Sequence, residues 1–206
     1  MRVITGQAKG RRIKVPRGET VRPTAGRVKE AFFNILPHDL SGLRVLDLFA
    51  GSGNLSIEAL SRGAAEAWLV DASRHTARVI RQNLAATGFE QKARVWTGTV
   101  FGAVRRLSQR GERFDLVFLD PPYERRWVGK VLRLVAQRGL LRETGTVVAE
   151  HSVRERVEES YGPLFLRDQR RYGTTMLSFF SYKAEPQSEE MTENGAKQNS
   201  GVSRVL

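Results

Sequence analysis

The sequence predicts an α/β fold with a mostly parallel seven-stranded sheet, closed by an antiparallel strand and preceded by a basic N-terminal hairpin and helix. Three observations point there. From residue 43 onward, short apolar runs alternate with stretches of helical spacing, the pattern of successive βαβ units. The first run ends in a glycine loop, Gly51-Ser52-Gly53, that lets a strand turn sharply into a helix. The fourth ends on Asp120-Pro121-Pro122-Tyr123. Proline fixes φ and donates no backbone hydrogen bond, so the strand must stop there.

Taken in order, residues 3–16 read as extended pieces around Gly6 and Gly10, a hairpin. Thr24 is a suitable N-cap for a helix carrying Val28, Ala31, Phe32 and Ile35 at helical spacing, which Pro37 stops. Strands are expected at residues 45–49, 67–70, 94–97, 116–119 and 146–149. Helices follow them at 54–61, 73–86, 100–110, 126–138 and 153–160. Residues 164–170 and 176–182 form a closing antiparallel pair around Gly173. Residues 184–206 are rich in Glu, Gln, Ser, Asn and Gly, too polar to offset the entropy of ordering, and are expected to be a disordered tail.

Composition narrows the function. The chain of 206 residues has no cysteine, which excludes disulfides, thiolate catalysis and Cys-ligated zinc. His38, His75 and His151 lie far apart without ligand spacing, so no metal is expected. The sequence shows no apolar run of membrane-spanning length and no signal-peptide core, so a soluble, cytoplasmic protein is expected. Charge is uneven. Residues 1–183 carry thirty-two bases against eighteen acids, or +14, and residues 1–30 alone have nine bases against two acids. Such a surface points to a polyanionic partner, most often nucleic acid.

In open α/β sheets, ligands collect at the carboxyl ends of the strands. Here the first strand ends Asp47-Leu48-Phe49-Ala50-Gly51-Ser52-Gly53, and the second ends at Asp71, twenty residues after Gly51, where a carboxylate can accept both hydroxyls of a ribose. A nicotinamide dinucleotide is the rival ligand, and two details oppose it. The position that would carry a third Gly or Ala is Ser56, and Asp47 would repel a pyrophosphate at the following helix N-terminus. The carboxylates suit S-adenosylmethionine instead, which has an ammonium, a sulfonium and a ribose but no phosphate. After the fourth strand, the carbonyls beside Pro121 and Pro122 stay free to accept, Asp120 adds two acceptor oxygens, and Tyr123 offers a flat ring. That set can hold an exocyclic amine of a base by its hydrogens. An isolated Asp-Pro-Pro is equally a simple turn, so the neighbouring motifs decide.

LDLFAGSG, an acid closing the second strand and DPPY after the fourth resemble Rossmann-like S-adenosylmethionine-dependent amino-methyltransferases. RVITGQAKGRRI, RPTAGRVKEAFFNIL, LDLFAGSGNLSIEALSRGA and the late RRYGTT, in that order over residues 2–182, resemble the RsmD family of bacterial 16S ribosomal RNA guanine-N2 methyltransferases. The resemblance implies a division into an RNA-binding extension (1–40), a methyltransferase domain (41–183) and the tail (184–206). It implies a cofactor site of Asp47, Phe49, Ala50, Gly51, Ser52, Gly53, Asp71, Ala72 and Thr99, and a catalytic set of Asp120, Pro121, Pro122 and Tyr123. It also implies phosphate contacts from Lys9, Arg11, Arg12, Lys14, Arg22 and Arg27. The expected partner is 16S RNA, free, in a small ribosomal subunit or in an assembly intermediate, bound by a monomer.

The chain departs from the family pattern at three places: Gly26 replaces an acid, Asn54 and Ser56 replace small residues, and Gly98-Thr99-Val100 stands where Asp-Ala is usual. Trp68 and Phe114 are expected to pack, His151 to be a solvated loop residue, and Trp96 and Trp127 stay open. On the resemblance, residues 172–175 touch the base pocket. Two other functions remain: amino-methylation of adenine N6 or cytosine N4, as in DNA, and a non-catalytic RNA-binding assembly factor.

Overall fold

The computed structural model describes residues 1–16, 25–122 and 127–182. Helix α1 (Ala25–Ile35) precedes β1 (Arg44–Asp47), α2 (Asn54–Ser61), β2 (Glu66–Asp71), α3 (Arg74–Thr87), β3 (Ala93–Thr97), α4 (Val100–Gln109) and β4 (Phe114–Leu119). Then come α5 (Trp127–Arg138), β5 (Leu141–Ser152), β6 (Ser160–Tyr161), β7 (Leu164–Tyr172) and β8 (Thr175–Tyr182). The sheet runs β3-β2-β1-β4-β5-β8-β7-β6. Strands β1 to β5 are parallel and β8 is antiparallel to β5. The chain moves outward from β1 to β3 and then crosses back to β4 on the other side of β1. Strand order therefore reverses between β1 and β4, which opens a crevice at their carboxyl ends.

Alternation along each strand separates two cores. Val45, Leu69, Phe118, Val148 and Phe179 face Ile57 and Leu60 of α2, Ile80 and Leu84 of α3 and Phe32 and Phe33 of α1. Leu46, Val70, Val117, Val147 and Phe180 face Val104 and Leu107 of α4 and Val131 and Val135 of α5. Val3, Ala8 and Ile13 of the N-terminal segment are buried in the first of these cores. The extension thus shares a core with the sheet, and no break in packing separates them near residue 40.

Two expectations need correction. The sheet has eight strands where seven are expected, the eighth being the two-residue β6 paired to β7 at Ser160–Phe165 and Tyr161–Leu164. No helix covers residues 153–160; β5 runs on to Ser152, and a turn leads into β6. The stretch VRERVEES offers a helix only Val153 and Val157 on one face, and of these Val157 alone packs on the core. The expected N-terminal hairpin is present in reduced form. One bridge joins Arg2 and Arg12, flanked by Val3 N–H to the Arg11 carbonyl and Ile13 N–H to the Met1 carbonyl, both 3.0 Å. The Thr24 cap and the tail lie outside the described residues.

Candidate active site

Register brings the acids together. Asp47 closes β1 opposite Phe118 of β4 and Leu69 of β2, and Asp71 closes β2. Asp120 immediately follows β4. All three line one cavity of about 650 Å³ at the switch between β1 and β4. Phe49, Ala50, Gly51, Ser52, Ala72, Thr99, Pro121 and Pro122 line it too. No cluster of acids and histidines suited to a metal occurs among the described residues.

Asp47 is 1% exposed, and its Oδ2 accepts a hydrogen bond from the Ser56 hydroxyl at 3.0 Å. Its Oδ1 is buried with no hydrogen-bond partner among the described residues. Burial pushes this carboxyl up to about 7, the Ser56 bond pulls the other way, and the negative charges of Asp120 and Asp71 add to the rise. A buried, unsatisfied carboxylate oxygen is costly unless a ligand completes it, and a cation is the natural partner. Asp71 is raised as well, again by burial first, although both its oxygens accept backbone N–H groups: Oδ2 from Gly51 at 3.2 Å and Oδ1 from Ser73 at 2.8 Å. It thereby fixes the glycine loop against the start of α3, and each oxygen keeps a further lone pair for a ribose hydroxyl.

The acceptor set therefore fits S-adenosylmethionine. Asp47 Oδ1 would take the ammonium and Asp71 the ribose. Aromatic rings shape the opposite wall: Phe49 meets Trp127 edge-on at 6.2 Å, and Phe101 lies 5.6 Å from Trp127. Phe101 is 42% exposed and lines the cavity beside Trp127. Trp127 and Phe101 therefore belong to the site. An apolar residue one step inside the N-terminus of a helix that follows a strand is the signal that could have identified Phe101.

Other sequence expectations resolve individually. Gly53 takes φ +77° as the N-cap of α2, and a Cβ there would approach Leu69 Cδ2 to 3.2 Å, so it is required for packing of the loop and does not line the cavity. Gly51 has φ +51° and does line it. Thr99 caps α4 by accepting from the Gly102 N–H at 3.1 Å, which leaves its hydroxyl hydrogen and a second lone pair for a ligand. Tyr123 and Arg22 lie outside the described residues, as does the side chain of Arg27. Trp68 and Phe114 pack against each other edge-on within the core, as expected. His151 is not a solvated loop residue: it is 2% exposed, with Nε2 2.7 Å from Ser178 Oγ and Nδ1 3.0 Å from the Ser152 carbonyl. Burial holds it below the usual imidazole range, against the opposing pull of the Ser152 backbone bond and Glu155.

The N-terminal segment forms part of the cavity itself, through Met1, Val15, Val28, Lys29 and Phe32. What holds it there is Glu58 of α2, which is fully buried. Its carboxylate accepts from Ile4 N–H (2.8 Å), Thr5 N–H (2.9 Å) and Thr5 Oγ1 (2.9 Å) and pairs with Lys29 at 2.7 Å. Lys29 also donates to Asn54 Oδ1 at 2.8 Å. Two departures from the family pattern thus have partners: Asn54 receives Lys29, and Ser56 holds Asp47. On the outer side of this segment, Lys9, Arg11, Arg12 and Lys14 are exposed.

A family model described as a conserved hypothetical protein matches residues 1–181. A putative rRNA methyltransferase of Bacillus subtilis, YlbH, is 37% identical over 180 residues, covering 87% of this chain and 98% of that protein. The ribosomal RNA small subunit methyltransferase D of Escherichia coli K12 is 37% identical over 153 residues, covering 74% of this chain and 75% of that one. A solved structure of the putative methyltransferase yhhF from Escherichia coli superposes with a TM-score of 0.78 at 32% identity, covering 90% of this chain and 99% of that one. With the carboxylates and glycine loop placed as described, the chain belongs to this family, the RsmD family, and is an S-adenosylmethionine-dependent methyltransferase.

Proposed function

We propose that this methyltransferase acts on RNA and transfers the methyl group to the exocyclic N2 amine of a guanine in small-subunit ribosomal RNA. The observation that carries this is the position of Asp120 and Pro121, beyond β4 and across the strand switch from the unpartnered oxygen of Asp47. The names of the relatives support the ribosomal RNA substrate, and the resemblance of DPPY and its companion motifs supports the guanine amine.

The nitrogen of a nucleobase amine is a weak nucleophile because its lone pair is delocalised into the ring. Asp120 and the Pro121 carbonyl, as acceptors, hold the two amine hydrogens and favour a pyramidal nitrogen with its lone pair directed at the cofactor. Tyr123 stacks on the base. S-adenosylmethionine, when bound, supplies a methyl group activated by the adjacent sulfonium. Alignment of this kind is worth roughly 7–11 kcal/mol in well-oriented systems. The methylated nitrogen loses its proton readily, and Asp120 is placed to receive it.

A paired guanine buries its amine in the helical stack, so the base must be looped or flipped out at a cost of about a few kcal/mol. Lys9, Arg11, Arg12 and Lys14, together with Arg22 and Arg27, contact the phosphates around it, which positions the RNA without reading its sequence. Residues 1–40 thus serve RNA binding while also completing the cofactor cavity, and residues 41–183 carry the chemistry.

Mass-spectrometric mapping of small-subunit RNA from cells with and without this protein tests the proposal. One N2-methylguanosine that disappears with the protein is expected. Loss of an N6-methyladenosine or N4-methylcytidine instead would overturn the guanine assignment.

A further inference from the structure

The same sheet edge carries a fourth carboxylate, Glu150. In the parallel β4–β5 ladder Leu119 pairs with Ala149, so Asp120 and Glu150 each stand one residue further along neighbouring strands. Adjacent strands lie about 4.8 Å apart. Leu119 and Ala149 face the core formed by α4 and α5, and alternation turns the next residue of each strand to the opposite face. Both acids line the cavity. Strand order also decides which side of Asp120 this is. Asp47 and Asp71 close β1 and β2, whereas β5 lies beyond β4, away from the cofactor loop. Glu150 therefore flanks Asp120 on the side where a target base must lie.

The chemistry of that position separates the bases. Each nucleobase amine has a ring nitrogen beside it on the same edge. Beside N2 of guanine it is N1–H, a donor. Beside N6 of adenine it is N1, and beside N4 of cytosine it is N3, both acceptors. An ionised carboxylate can only accept. Two neighbouring carboxylates thus meet two donors with guanine, but one donor and one opposed lone pair with adenine or cytosine. A carboxylate has about four lone-pair positions, enough to hold a protein donor and the base together.

We propose that Glu150 is the specificity-determining residue, accepting N1–H of the target guanine while Asp120 and the Pro121 carbonyl hold its amine. This rests on the assignment of Asp120 as the amine acceptor. Sites built to hydrogen-bond a substrate N–H reject an analogue lacking it by up to about 10⁴–10⁵. In an open cavity, with the RNA anchored elsewhere, we expect about 10²-fold.

The test uses the full chain and small-subunit RNA in which the mapped target guanosine is replaced, by ligation, with 2-aminopurine. That base keeps the amine at C2 but presents N1 as an acceptor. Wild type should methylate guanosine about 100-fold better in kcat/KM than 2-aminopurine. Glu150→Gln should lose most of that rate on guanosine and bring the ratio to within about fivefold, with cofactor Kd changed less than about twofold. Glu150→Asp, which keeps the carboxylate, should be slower but retain the discrimination. 2-Aminopurine also lacks O6, a difference common to all three proteins, so the change in ratio isolates Glu150. An unchanged ratio in a cofactor-binding Glu150→Gln variant overturns the proposal, as does a wild type that accepts both bases equally. A wild type that forms no N2-methylguanosine in any small-subunit RNA refutes the function proposed above instead.

Discussion

The side-chain amide of Asn83 donates to the Ser52 carbonyl at 2.8 Å, tying helix α3 to the glycine loop of the cofactor cavity. The same amide donates to the Lys14 carbonyl at 2.8 Å, and its oxygen accepts the Lys14 N–H at 2.9 Å. One buried side chain thus joins the cofactor loop to the basic N-terminal segment. Asn83→Ala would leave three backbone groups without partners. At about 1–3 kcal/mol for each buried group left unsatisfied, with water recovering part, a loss of ~3 kcal/mol is expected by chemical denaturation. Cofactor KM should rise several-fold while kcat falls less, and an unchanged KM would show that Ser52 is held by the loop alone.

Asp47 opposes stability in the absence of cofactor. Its carboxyl is raised from 3.8 to about 7 in the fold, so the folded state holds a proton that the unfolded chain releases. Stability contributed by this group is then full below about pH 4, declines as pH rises toward about 7 and is level above that. Asp47→Asn should raise the melting temperature of the cofactor-free protein at about pH 8, by an energy on the order of 4 kcal/mol or less, while abolishing cofactor binding. A melting temperature unchanged by the substitution at that pH would show that Asp47 is not strained.

The same group predicts proton release on binding. Below about pH 7 Asp47 must lose its proton to meet an ammonium, so cofactor affinity should fall up to tenfold per pH unit. Calorimetry in buffers of different ionisation enthalpy reads this directly. Identical heats across buffers at about pH 6 would exclude Asp47 as the ammonium partner.

Asp120→Ala should lower kcat by about 10²–10³-fold, the range for removing a single polar group that acts mainly in the transition state. Cofactor binding should stay within a few-fold, because Asp120 raises the Asp47 carboxyl through its charge and its loss slightly favours the ammonium partner. Equal losses in binding and turnover would refute the assigned role.

Replacing Arg11, Arg12 and Lys14 with Gln should weaken RNA binding and flatten its salt dependence. Each neutralised phosphate on a single strand accounts for about 0.7 of the log–log slope, so a change near 2 is expected in a filter-binding titration. Arg11 also donates to the Ala86 carbonyl, so the triple variant needs a melting curve as control. An unchanged slope would place the RNA on another face.

The alternation of strands and helices, the glycine loop and the two prolines after β4 were all legible in the sequence. Each follows from local rules: apolar periodicity, the freedom of glycine and the missing N–H of proline. Those same rules predicted a helix at residues 153–160 and a solvent-facing His151. Closure by β8 buried His151, and at residues 153–160 two valines make too narrow a stripe to hold a helix on the core.

What the sequence alone determined is therefore the fold class and the place of Asp47, Asp71, Asp120 and Pro121 at strand ends, since short-range spacing defines those ends. Tertiary structure alone decided which of these meet. Only the strand order places β4 beside β1 and β5 beside β4, bringing Asp47, Asp120 and Glu150 to one crevice from residues far apart in the chain. It also buried Glu58 beneath the N-terminal segment, so that a stretch whose charge reads as a free arm becomes a wall of the cofactor cavity. Charge composition reports what a segment can attract. What it packs against is set by the core it shares.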